Sequence, residues 1–154
     1  MAHHSSILDR EHDEIIEQLE DASTGDNGTS RLFREMRSKF LTHLEKENET
    51  IIPLLSYVKE TANGAGIGKN SIYITAGEKF NRESDTMVSE HRTMQNLVGN
   101  VMEQLKIHPD GKLSKLARIL LEHIEFEEEF LYPSAKMAAR TIKLEQETSR
   151  MTVR

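Results

Sequence analysis

Apolar positions recur at spacings of three and four along most of the chain, the period of a helix with one buried face. A first helix is predicted from about Ser6, with Leu8, His12, Ile15, Ile16 and Leu19 on one stripe. It ends in the breaker-rich "STGDNGTS". A second starts near Ser30 and aligns Phe33, Met36, Phe40, His43, Glu47, Ile51 and Leu54. The Gly-rich "TANGAGIGKNSIYITAG" (61–77) reads as a long connection, within which "SIYIT" is the only short strand candidate. A third helix is expected to open at the capping-box pattern Thr75–Glu78, carrying Met87, His91, Met94, Val98, Met102 and Leu105. The turn "HPDG" at His108–Gly111 precedes a fourth, with Leu116, Leu120, His123, Glu127, Phe130 and Leu131 on its face. Such segments predict an all-α fold, an up-down-up-down four-helix bundle. It is read as a single domain over 1–154, with a core at about 7–135 and a C-terminal extension at 136–154 that could lengthen the last helix or support an oligomer contact.

The polar residues inside these stripes change the picture. "HLEKENETIIP" (His43–Pro53) and "HIEFEEEFLYP" (His123–Pro133) are identical at five of eleven positions. His12 precedes His43 by 31 residues and His91 precedes His123 by 32, so the repeat is two-fold and covers both halves. On a helix the Glu at i+4 lies about 40° round from its His, whereas those at i+2 and i+6 lie about 200° and 120° away. Glu47 and Glu127 therefore share the buried stripe, while Glu45, Glu49, Glu125 and Glu129 face solvent or the helix flanks. No Lys or Arg lies in the stripes to neutralise two buried carboxylates, each costing several kcal/mol to bury. A metal does so directly. The chain has no Cys, so thiolate ligands and iron–sulfur chemistry are excluded.

Four imidazoles with two carboxylates suit Fe, Mn or Zn and are a poor set for Ca or Mg. Six side chains exceed one tetrahedral Zn. Two ions, each with two His and bridged by Glu47 and Glu127, would use every donor. The predicted metal ligands are His12, His43, Glu47, His91, His123 and Glu127, and the expected centre is two Fe ions, with Zn or Mn as alternatives.

This pattern resembles the hemerythrin-like family of HHE cation-binding domains: a His on the first helix, His-x-x-x-Glu on the second, a His on the third and His-x-x-x-Glu on the fourth. The resemblance runs from about Ile7 to Pro133. It implies a di-iron four-helix bundle with an oxo or hydroxo bridge that handles a small diatomic or peroxide ligand. Oxygen-carrying members place a further His where this chain has Gln95, and end in His-x-x-x-x-Asp where it has Glu127 at i+4 and Glu128 at i+5. O2 carriage is accordingly ranked below binding and turnover of NO, peroxide or O2, a di-iron oxidoreductase reading. The alternatives are a non-catalytic O2, NO or iron sensor or store, and a structural Zn or Mn bundle. Iron-repair members usually carry a Cys-containing N-terminal region, which is not expected here because these 154 residues hold no Cys.

Remaining features take plainer readings. A net charge of −6 argues against nucleic acid or an anionic membrane as partner. No signal peptide or membrane-length apolar run is visible, so a cytoplasmic location is expected. The electron donor is not identified, and monomer and homodimer are both compatible. Pro53 and Pro133 read as shared helix-bending or helix-ending devices. Tyr57, Tyr73 and Tyr132 read as packing residues, with metal-site hydrogen bonding as the functional alternative. His3, His4 and His108 are not expected to be ligands.

Overall fold

The computed structural model describes residues 6–65 and 70–152; His3, His4 and residues 66–69 of the Gly-rich connection lie outside them. The fold is the all-α four-helix bundle that the periodicity predicts. Its elements are α1 (Ile7–Ala22), α2 (Gly28–Ala62), α3 (Ser71–Ile107), α4 (Gly111–Phe126), a π-helical turn (Glu127–Leu131) and α5 (Tyr132–Thr152). Helix α4, the π turn and α5 follow one another without a break and form the fourth helical stretch.

Local chemistry explains the ends. Ser6 caps α1 in a capping box: its side chain accepts from Asp9 N–H, and the Asp9 carboxylate accepts from Ser6 N–H. Asn27 Oδ1 accepts from Ser30 N–H at the start of α2, and Asp110 Oδ1 accepts from Lys112 and Leu113 at the start of α4. Helix α2 closes with Gly64 at φ 92°, where Ala65 N–H reaches Glu60 C=O and Gly64 N–H reaches Thr61 C=O. That 6→1 and 5→2 pairing requires a left-handed residue, and glycine supplies it without a Cβ clash.

Helix α3 begins earlier than expected. Asn70 Oδ1 accepts from Ile72 N–H and caps a helix that starts at Ser71, so Thr75–Glu78 falls inside it and "SIYIT" is helical. Tyr73, Ala76 and Phe80 are buried at helical spacing, and that packing outweighs the β preference of Ile, Tyr and Thr. Met102 and Phe130, read as stripe residues, are exposed. Neither proline ends a helix: Pro53 lies within α2, and Pro133 is the second residue of α5.

By internal contacts the chain forms two compact units. One comprises the chain up to Thr42 with Glu90–Ile124; its core is built by Leu8, Ile15, Leu19, Phe33, Met36, Phe40, Met94, Val98, Val101, Leu116 and Leu120. The other comprises His43–Ser89 with the chain from Glu125 onward, and buries Ile51, Leu54, Tyr57, Tyr73, Phe80, Met87, Tyr132, Ala135, Ala138, Ala139 and Ile142. Within it the small residues bring two helices close: a Cβ on Gly77 of α3 would lie 3.5 Å from Ala139 of α5. No described helix is long and apolar enough to cross a membrane.

Candidate metal centre

Each predicted ligand lies on the buried stripe of its helix, and none of the six is more than 2% exposed. Glu45, Glu49, Glu125 and Glu129, the other carboxylates of the repeat, are exposed as the helical period requires. His108 is exposed in its turn.

In the first unit, His12 of α1 and His123 of α4 face one another edge to face, with ring centroids 5.0 Å apart. Phe40 of α2 packs against both, at 6.0 and 6.2 Å, and gives the pair an apolar wall. Glu11 reaches in from the surface: its carboxylate lies 2.7 Å from His123 Nδ1 and remains 39% exposed. An ionised carboxylate has no proton to give, so Nδ1–H is the donor and Nε2 is left as the electron-pair-bearing nitrogen. His91 is fully buried on α3. Gln95, one turn further on, is half-buried, and its side-chain oxygen accepts from the Arg92 guanidinium.

In the second unit, His43 Nε2 lies 3.5 Å from Glu47 Oε2 on the same face of α2. Burial, and then the hydrogen bond and charge of Glu127, push the Glu47 carboxyl from 4.5 up to about 8. Tyr132 donates to Glu47 Oε2 at 3.0 Å and lies 3.3 Å from His43 Nε2. Burial first, then the Glu47 and Glu127 charges, hold its phenol protonated. Phe80 packs edge-on against the Tyr132 ring at 6.1 Å. Tyr57 and Tyr73 instead pack edge to face at 5.7 Å, and Tyr57 donates to Glu145.

One ligand atom from each of His12, Glu47, His123 and Glu127 lies within 4.8 Å of the other three, and the same holds for His43, Glu47, His91 and Glu127. All six expected residues are thus gathered into two groups of four that share both glutamates. The donor chemistry fits a metal: buried imidazole nitrogens and carboxylate oxygens without sulfur suit Fe, Mn or Zn. Such a cluster can hold a metal ion.

Two residues touching the centre were not expected there. Glu11 left no distinguishing signal, because the dipeptide Glu-His occurs at Glu11–His12, Glu90–His91 and Glu122–His123 alike. Tyr132 reads from the sequence first as a packing residue, because its counterpart in the repeat is Ile52, and the structure shows the hydrogen-bonding alternative instead.

Comparison with known proteins agrees with this arrangement. The family model for the hemerythrin HHE cation binding domain matches residues 3–135. Neither the curated proteins nor the solved structures give a match. With a matched segment that contains all six buried donors and most of the chain, this protein belongs to the hemerythrin HHE cation-binding family.

Proposed function

We propose that His12 and His123 hold one Fe ion, that His43 and His91 hold a second, and that Glu47 and Glu127 serve both. In this reading the protein binds and turns over a small oxidant: NO, peroxide or O2. The observation that carries it is the sharing of Glu47 and Glu127 between the two groups of four donors, which makes a pair of ions a better fit than one. When bound, the irons supply electrons and Lewis acidity to a small ligand.

The protein's own groups prepare that chemistry. The two carboxylates offset the cationic charge in a site that excludes water, where an isolated ion would be costly. Glu11 holds the His123 ring by Nδ1 and leaves Nε2 for the metal, an orientation device common among metal-ligating histidines. Tyr132 donates to one oxygen of Glu47 and holds it in place. Gln95, engaged by Arg92, adds no fifth imidazole, so reversible O2 carriage ranks lower.

The test is metal content per chain together with the visible spectrum of protein made in iron-supplemented medium. About two Fe per chain, with near-ultraviolet bands that respond to azide, peroxide or NO, is the expected result. A single Zn with a featureless spectrum would retire the redox reading. Catalytic consumption of NO or peroxide by the reduced protein separates turnover from a single binding event.

A further inference from the structure

Helix α5 continues from Lys136 to Thr152 beyond the segment matched by the family model. One face packs inward through Ala138, Ala139 and Ile142, and Glu145 accepts from Tyr57. The opposite face carries Met137 (72% exposed), Leu144 (53%) and Met151 (79%), at intervals of seven residues. Seven residues fall only about 20° short of two turns, so the three form one straight stripe about 21 Å long. Phe130, 58% exposed in the preceding π turn, packs at 5.6 Å against the exposed ring of Phe126. Scattered exposed apolar residues are ordinary, but large ones repeating every seven form a seam.

The flanks of the seam differ. Ser134, Thr141 and Thr148 lie on one side, and their hydroxyls donate to the carbonyls of Phe130, Met137 and Leu144. That flank can be covered without stranding a donor. Arg140, Lys136, Lys143 and Arg150 lie about 60°, 100°, 120° and 140° round on the other side, interrupted by Glu147. None of the four cations forms an ion pair among the described residues. Beside Met137 is a cavity of about 470 Å³ lined by Asn81, Pro133, Lys136, Arg140 and Lys143.

We propose that this face of α5 docks an acidic amphipathic helix of a partner protein, its apolar anchors on the seam and its carboxylates along the basic flank. Charge decides against a second copy paired antiparallel. Two-fold antiparallel pairing places the same flank of both copies on one side, which would line up eight cations. Shape decides against a lipid surface. An interfacial helix sinks a broad apolar face edged by cations, and this seam is one residue wide with cations on one flank. The docking does not depend on the metal reading.

The test uses the full chain and two labelled designed peptides of about three heptads, with Leu at the seam positions and either Glu or Lys beside them. Fluorescence anisotropy should show the Glu peptide binding at least about tenfold more tightly than its Lys twin, and losing affinity as salt rises. Lys136→Glu combined with Lys143→Glu should reverse that preference, and Met137→Asp should abolish binding of both, with circular dichroism unchanged. Equal affinity for the two peptides would overturn the proposal. So would dimers of the unmodified chain in sedimentation that Met137→Asp dissociates, which would assign the face to a second copy. Flotation with phosphatidylserine-containing vesicles, lost in the double Lys variant, would assign it to a lipid surface.

Discussion

The two copies of the repeated segment begin alike and end differently. From His43, α2 runs on as a regular helix: Glu47, Thr50, Ile51 and Leu54 are buried at the α period, and Ile52 is half-buried. From His123 the chain widens into a π turn immediately after Phe126. There Glu127 is buried, Phe130 is 58% exposed, Leu131 is half-buried, and Tyr132 and Ala135 carry the buried face onward. One extra residue has been taken up. In an α-helix Tyr132 would sit about 140° round from Glu127. In the π turn its N–H donates to the Glu127 carbonyl, five residues back. That brings the phenol to Glu47 and His43. Both copies carry the proline, so proline alone does not produce the turn. What the comparison teaches is that the same ligand spacing can rest on two backbones, and that the widened one brings in a tyrosine its counterpart lacks.

Deletions should break the comparison most sharply. Removing exposed Asn48 from α2 would rotate every later residue of that helix by about 100° and pull Thr50, Ile51 and Leu54 off the buried face. Loss of the cooperative thermal transition is expected. Removing exposed Phe130 should instead return the π turn to α geometry with α5 still in register. A cooperative transition should persist. Equal damage from the two deletions would show that the π turn is not a one-residue insertion.

The next largest effect should come from Glu11. Glu11→Gln should weaken binding of the ion proposed for His12 and His123 by about 10–100-fold, the usual loss when a ligand's carboxylate partner is removed. Titration with Co(II), followed by its visible bands, would resolve that ion from the one proposed for His43 and His91. A uniform loss at both would remove the special role of Glu11.

Stability against pH should sharpen the contrast between metal-free and metal-loaded protein. The Glu47 carboxyl sits at about 8 when folded and at its ordinary 4.5 when unfolded, so the folded chain keeps a proton that the unfolded chain releases. Its contribution is fully present below about 4.5 and fades as pH rises through 8. The metal-free melting temperature should therefore fall across that window. With metal bound the ion replaces the proton, so the fall should flatten or reverse. A metal-free melting temperature that rises across the same window would contradict the burial of Glu47 next to Glu127.

The smallest effect concerns the asymmetric pair itself. Tyr132→Phe removes a donor to Glu47 and should cost about 1–2 kcal/mol in urea unfolding of the metal-free protein. Ile52→Leu, at the matching position of α2, should change stability by less than about 1.5 kcal/mol. A larger loss at Ile52 than at Tyr132 would mean that the hydrogen bond contributes little.

The fold and the set of buried histidines and glutamates were open to reading because both rest on helical period. His12, His43, Glu47, His91, His123 and Glu127 fall on the same stripes as the leucines and phenylalanines, and a buried carboxylate without a cation demands an explanation from sequence alone. The errors came where period stopped governing. "SIYIT" followed its packing rather than its β preference. Phe130, expected on the buried stripe, is exposed because a π turn shifts the register by one residue.

The sequence by itself determined four helices, their buried faces, and which histidines and glutamates those faces carry, because each of these depends on residues a few positions apart. Only the tertiary structure decided that Glu11 reaches His123 and that Tyr132 reaches Glu47. Those contacts join residues 112 and 85 positions apart, and they depend on backbone geometry that no local spacing encodes. The exposed seam of α5 lies between the two. Its seven-residue repeat is written in the chain, but only the folded protein shows that the repeat faces outward.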